Sequence, residues 1–148
     1  MRAPGGAFTL IDESYNANPL SMRAGFQSLG ARPVAAGGRR MVALTDMLEL
    51  GDQSRALHTG LAETIDAAGL DLVHTAGPQM KHLHDALRPE RRGLWRETAA
   101  DLAEALVDEV QPNDIVMVKG SNGSKASVIA AALADMERRQ GAGEGAAS

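Results

Sequence analysis

Three short stretches hold most of the side chains able to do binding chemistry: Asp12-Glu13-Ser14-Tyr15-Asn16-Ala17-Asn18, Thr45-Asp46-Met47-Leu48-Glu49-Leu50-Gly51 and Lys119-Gly120-Ser121-Asn122-Gly123-Ser124-Lys125. The first sets two carboxylates, a hydroxyl, a phenol and two amides side by side. A turn accounts for Ser14, and a helix cap accounts for Asn18. Neither needs the ring of Tyr15, whereas an adenine or ribose offers a face for it to cover. In the third stretch Gly120 and Gly123 let the backbone approach a ligand, the following helix offers free amides to an anion, and Lys119 adds a point charge. Phosphate and carboxylate fit that pattern equally. The stretch is not a Walker A loop, because one residue too few separates its glycines from Lys125, and Ala126 follows. In the middle stretch Leu48 and Leu50 are expected to pack while Asp46 and Glu49 face solvent or a neighbour. Taken alone, Asp46 is more readily a turn residue than a ligand.

Other chemistries are poorly served. The chain has no cysteine, which removes disulfides and thiolate metal sites. Of the four histidines, His82 and His84 are two apart and would point to different faces of a helix. His58 lies on a helical pattern without an acidic partner one turn on and reads as a surface imidazole, and His74 has no ligand set around it. No GxSxG elbow occurs, so no nucleophilic triad can be assembled, and no catalytic or metal-ligating residue is assigned. A net charge of −4 argues against a nucleic-acid surface, leaving the pairs Arg39-Arg40, Arg91-Arg92 and Arg138-Arg139 as solvated faces. No apolar run is long enough for a membrane span, and the N-terminus lacks the parts of a signal peptide, so a cytoplasmic address fits.

Positioning these stretches falls to five short apolar segments at 7–12, 40–45, 71–75, 93–95 and 114–118, alternating with helical patterns at 19–30, 53–68, 78–87, from Thr98 to about 110, and 123–139. Such alternation predicts an α/β, Rossmann-like three-layer domain, with a mostly parallel sheet of five to six strands and helices on both faces. The helices are expected to turn Met22, Phe26 and Leu29, then Leu57, Leu61, Ile65 and Ala68, then Leu102, Leu106 and Val110, and finally Val128, Ala132 and Met136 toward the sheet. Asn18-Pro19 and Thr98 with Asp101 read as helix starts, Gly69 as a helix end and Asn113 as a turn. With few aromatic residues the core must be largely aliphatic. Residues 1–6 read as an interdomain linker remnant, 7–139 as the domain and 140–148 as a disordered tail. In an open parallel sheet ligands bind beyond the carboxyl ends of the strands, where all three polar stretches fall.

The strings TLIDESYNANPLSM, VALTDMLELG, LHTGLAETIDAAGLD and IVMVKGSNGS, in this order and spacing, resemble the C-terminal domain of the Mur ligase family, in its branch that adds D-alanyl-D-alanine, over roughly residues 5–135. The resemblance implies a three-domain, ATP- and Mg²⁺-using, cytoplasmic ligase of peptidoglycan synthesis. Its N-terminal domain would hold the UDP-N-acetylmuramoyl tripeptide, its central domain would carry the phosphate loop, and this chain would be the third domain, inactive by itself. It places Asp12, Glu13, Tyr15, Asn16 and Asn18 on the nucleotide side of an interdomain cleft, and Asp46, Lys119, Ser121 and Asn122 on the dipeptide side. Two departures stand out. Thr45 occupies a position usually filled by glycine, and Glu13 one often filled by aspartate. The alternative reading is a free-standing Rossmann-like module for a small anion or nucleotide, without ligase activity.

Overall fold

The apolar runs form five strands, β1 (Thr9–Glu13), β2 (Arg40–Thr45), β3 (Leu72–Ala76), β4 (Arg92–Arg96) and β5 (Ile115–Lys119), in a computed structural model that describes residues 8–15 and 17–147. The expected linker at 1–6, Asn16 and the side chain of Asn122 lie outside the described residues. Every pairing is parallel and the sheet order is β1-β5-β2-β3-β4. The chain is thus the α/β, Rossmann-like domain that the alternation predicts.

Helices α1 (Pro19–Ala31), α2 (Ser54–Ala68) and α3 (Met80–Ala86) cover one face, and α4 (Ala99–Leu106) and α5 (Ala126–Ala147) the other. Chain order explains this division. From β1 to β4 the strands advance in one direction across the sheet, whereas β4 to β5 steps back. Crossovers of one hand must then put α4 on the opposite face from α1, α2 and α3. Side chains alternate accordingly. On β2, Met41 and Ala43 join the layer under α4 and α5, while Val42 and Leu44 join Met22, Phe26, Leu61 and Ile65. Central strands β2 and β5 are covered on both sides, which is why they read as unbroken apolar runs. Among the described residues no helix is long and apolar enough to cross a membrane.

Local signals act where expected. Asn18 takes an extended backbone and its side chain accepts from the Ser21 amide at 2.8 Å, while the Ser21 hydroxyl accepts from the Asn18 amide at 2.9 Å. Pro19 then supplies a first turn that needs no amide hydrogen. Thr98 accepts from the Asp101 amide at 3.1 Å, Gly69 ends α2 in the left-handed region, and Asn113 turns with φ 74°. At the amino ends of the strands, buried Asp114 accepts from Arg39 at its backbone N–H (3.0 Å), Nε (3.1 Å) and Nη2 (2.7 Å), which fixes the entry to β2 against that to β5.

One expectation is corrected along α5. The helix turns Ala126, Ile129, Ala130, Leu133 and Met136 inward, with Ala132 half-buried against the same layer, and leaves Val128 39% exposed. The true stripe is set by a helix beginning at Ala126, after a 3₁₀ turn at 122–124 that rotates the start relative to a helix drawn from 123. Helix α5 extends to Ala147. Its alanines propagate an established helix, and the glycines among them weaken it without stopping it.

His74 on β3 carries a pH dependence. It is buried, and its Nδ1 accepts from the Leu94 amide at 3.1 Å, so Nε2 carries the hydrogen, with no acceptor among the described residues. Burial, assisted by the Arg39 charge, lowers its pKa to about 4. With the folded value below the unfolded one, the unfolded chain binds more protons, so stability is lost as pH falls from about 6.5 toward 4. Urea unfolding is expected to show about 2 kcal/mol less stability from this group at pH 5 than at pH 7.5, and His74→Gln to remove that part of the fall.

Candidate functional site

Because every strand runs the same way, the turns after β1, β2, β3, β4 and β5 gather at one end. In register, Glu13 of β1 and Leu44 of β2 both neighbour Lys119 of β5. Between β1 and β2 sits β5, whose helix leaves toward one face while α1 and α2 leave toward the other. A crevice must open where helices part in this way, and it opens at Lys119–Lys125.

Four consecutive residues after β2 tie that end together. The Thr45 Oγ1 lies 2.7 Å from the Ser124 Oγ, whose hydrogen is directed at the carbonyls of Asp46 (2.8 Å) and Ser121 (2.9 Å). Asp46 accepts from the amides of Gln79 (3.2 Å) and Met80 (2.8 Å) with its two carboxylate oxygens, capping α3. The Met47 amide donates to His58 Nε2 at 3.0 Å, and Leu48 donates to Ser121 Oγ at 3.2 Å. Ser121 reaches back to the Ala17 carbonyl at 3.5 Å. One segment thus holds the turns after β1, β3 and β5 and the start of α2.

These contacts correct two sequence readings. The expected packing of Leu48 is one of them, whereas Asp46 faces a neighbour as expected. Asp46 is 7% exposed, because only its carboxylate reaches the start of α3, and Leu48 is the residue left out, at 41% exposed. Desolvation raises the Asp46 pKa, and the amides of Met80 and Gln79 oppose that rise by favouring the charge. The other is His58, which is not a surface imidazole. It is fully buried, with Nδ1 2.7 Å from the Ser54 carbonyl and Nε2 accepting from Met47, and burial lowers its pKa and keeps it neutral. Its partner was a backbone amide eleven residues away rather than an acid on the same helix.

The other predicted site residues divide between inside and outside. Lys119 is 4% exposed and its Nζ pairs with Glu13 Oε1 at 3.0 Å, joining β5 to β1. Asp12 accepts from the Ser14 amide at 3.0 Å and is exposed, as is Asn18, whose Oδ1 is occupied by its own helix. The Tyr15 ring is 72% exposed and stands clear of the domain.

A cleft of about 490 Å³ opens beside this hub. Asp46, Leu48, Gly123, Ser124 and Lys125 line one side, and Gly77, Pro78 and Glu97–Ala100 line the other. The first turns of α4 and α5 border it, with Lys125 as a cation and Glu97 as an anion. Lys125 and Glu49 both hold positive φ, 65° and 60°, so the loops around the cleft carry backbone strain. A small molecule bearing both charges fits these walls. Among the described residues no cluster of three or more His, Asp or Glu could hold a metal ion. The contribution of the turns after β3 and β4 was legible in principle, since their strands end at the same edge. Their plain composition hid it.

A sequence model of the Mur ligase family, glutamate ligase domain, matches residues 2–122. The chain is 36% identical over 148 aligned positions to the UDP-N-acetylmuramoyl-tripeptide–D-alanyl-D-alanine ligase of Mycobacterium tuberculosis (strain CDC 1551 / Oshkosh), covering 87% of this chain and 29% of that protein. It is 34% identical over 124 positions to the enzyme of the same name from Escherichia coli (strain K12), covering 84% and 26%. The crystal structure of MurF ligase from Thermotoga maritima in complex with ADP superposes with a TM-score of 0.72 at 23% identity, over 93% of this chain and 30% of that one. Crystal structure II of MurF from Acinetobacter baumannii gives 0.71 at 24% identity, over 92% and 29%. The chain therefore spans less than a third of the length of the relatives it matches.

Thr45 and Gly120 are fitted to each other. A Cβ on Gly120 would overlap Thr45 Oγ1 and lie 2.9 Å from Ala126 Cβ. Gly120→Ala is expected to destabilise the domain by about 2 kcal/mol. Adding Thr45→Gly should make the chain more stable than the Gly120→Ala single variant, despite the lost hydroxyl, because the two positions share one space. Urea denaturation of the four forms measures the coupling, and simple additivity would show that the overlap is not what requires glycine.

Proposed function

This chain belongs to the Mur ligase family, as its glutamate ligase domain, and from that membership we propose that it is the C-terminal domain of a ligase adding D-alanyl-D-alanine to a UDP-N-acetylmuramoyl tripeptide with ATP, in bacterial cell-wall synthesis. The observation that carries the proposal is the shape of the carboxyl end. It has a charged cleft that suits a small zwitterion and, in the turn after β1 at the same end of the sheet, an exposed tyrosine. Relatives that are mostly longer carry the ligase name, and the ADP in the Thermotoga maritima complex supports nucleotide use.

In this reading the domain binds and orients. The cleft takes the dipeptide, with its carboxylate toward Lys125 and the first turns of α4 and α5, which leaves the amine free to attack the activated tripeptide. Tyr15, Asp12 and Asn18 face the nucleotide held by the central domain, the ring covering a flat face and Asp12 within reach of hydroxyls. Glu13 and Lys119 act from beneath, by fixing β1 against β5. Holding an amine and an acyl phosphate in line supplies much of the rate in such transfers, so a domain without a general base still matters. In this reading Mg²⁺ is held mainly by the central domain of the ligase.

The test joins this chain to the N-terminal and central domains of the Escherichia coli relative. The fusion is expected to release phosphate from ATP in a D-alanyl-D-alanine-dependent manner, while the chain alone does not. Micromolar ATP binding by the chain alone, together with an inert fusion, would favour the free-standing nucleotide module instead.

A further inference from the structure

The hydroxyls at the end of β2 carry an inference that rests on the cleft being the dipeptide site. Ser124 has one hydrogen, and it points at two carbonyls, those of Asp46 and Ser121. The 2.7 Å contact with Thr45 must then be donated by Thr45, so a directed chain runs from Thr45 through Ser124 into both loops. Thr45 is almost fully buried, so water cannot replace the bond. Ser124 lines the cleft, and so do Gly123 and Lys125 on either side of it. Ser121, held by the same chain, accepts from the Leu48 amide, and Leu48 forms the neighbouring wall, close enough that a Cβ on Gly123 would come within 2.7 Å of Leu48 Cδ1. The two loops forming one wall of the cleft are therefore joined by the Ser124 hydroxyl, on which Thr45 also bears, and by the Leu48 amide on Ser121.

We propose that Thr45 is a positioning residue for the acceptor: its hydroxyl, acting through Ser124, holds the wall formed by Leu48 and Gly123–Lys125 in the shape that receives the dipeptide. Thr45 touches no ligand itself. Its removal widens and loosens a preformed edge, which weakens ground-state and transition-state binding of the dipeptide alike and leaves the chemical step untouched.

The experiment has two arms. In the first, amide hydrogen exchange is followed in the chain itself for wild type, Thr45→Val, which keeps the branched shape without the hydroxyl, and Thr45→Ser, which keeps the hydroxyl. Thr45→Val is expected to speed exchange at Leu48 by about tenfold while the core strands stay protected, and Thr45→Ser to match wild type. In the second, the same variants in the domain fusion are assayed for turnover. Thr45→Val is expected to raise KM for D-alanyl-D-alanine about tenfold with kcat within twofold and KM for ATP unchanged, and Thr45→Ser to restore it. Unchanged exchange at Leu48 in Thr45→Val overturns the proposal in the first arm, and so does faster exchange with an unchanged dipeptide KM in the second. Should Thr45→Val not fold, Ser124→Ala takes its place with the same expectations. A wild-type fusion without dipeptide-dependent turnover would sink the ligase reading, and the exchange arm would still decide whether the hydroxyl chain holds the loops.

Discussion

Polar groups buried at the end of β2 must find partners inside the protein, and the geometry of the functional end follows from that requirement. Backbone amides and carbonyls that leave a sheet lose their ladder, and beneath packed helices water does not replace it. Thr45, Asp46, Met47 and Leu48 resolve this by binding outward in four directions, to Ser124, to the start of α3, to His58 and to Ser121. Each bond satisfies a polar group where the strand ends, buried at Met47 and at the Asp46–Met80 contact, and ties down a neighbouring segment. The loops around the cleft are ordered because the strand end has no other way to be satisfied.

Much of the fold is legible in the sequence because its causes are local. Alternating apolar runs and helical stripes give the strands and three of the five inner helix faces, and Asn18, Thr98 and Gly69 mark helix limits through bonds within a few residues. What escaped depends on partners far along the chain. Asp46 reads as a turn aspartate until α3, thirty-four residues on, supplies two amides for it, and His58 reads as a surface residue until Met47 faces it. The face of α5 was drawn one residue off because a 3₁₀ turn precedes it, a detail that periodicity alone does not encode. At the site, polar composition pointed to three loops that the fold gathers at one end, with Lys119 of β5 paired to Glu13 of β1, and it passed over the turns at Gly77 and Glu97, which also line the cleft.

The same end carries the large apolar side chains left exposed among the described residues, Tyr15, Leu20, Leu48 and Val128. Tyr15 and Leu48 follow the carboxyl ends of strands, and Leu20 and Val128 lie in the first turns of the helices that leave there. Rigid loops and uncovered apolar side chains at one end describe a surface finished on its inner side and awaiting cover on its outer one. The proposed role, closing over substrates held by neighbouring domains, has those two needs together.

The position of β5 has a further consequence, for biosynthesis. It is the last strand in the sequence, yet it lies between β1 and β2 and is the neighbour through which β1 joins the sheet. Until β5 has been synthesised, β1 lacks the neighbour it pairs with in the finished sheet, and β2 lacks the partner on one of its edges. Such a domain is vulnerable while nascent and cooperative when complete, and its earliest segment is the one most in need of protection from other unpaired edges.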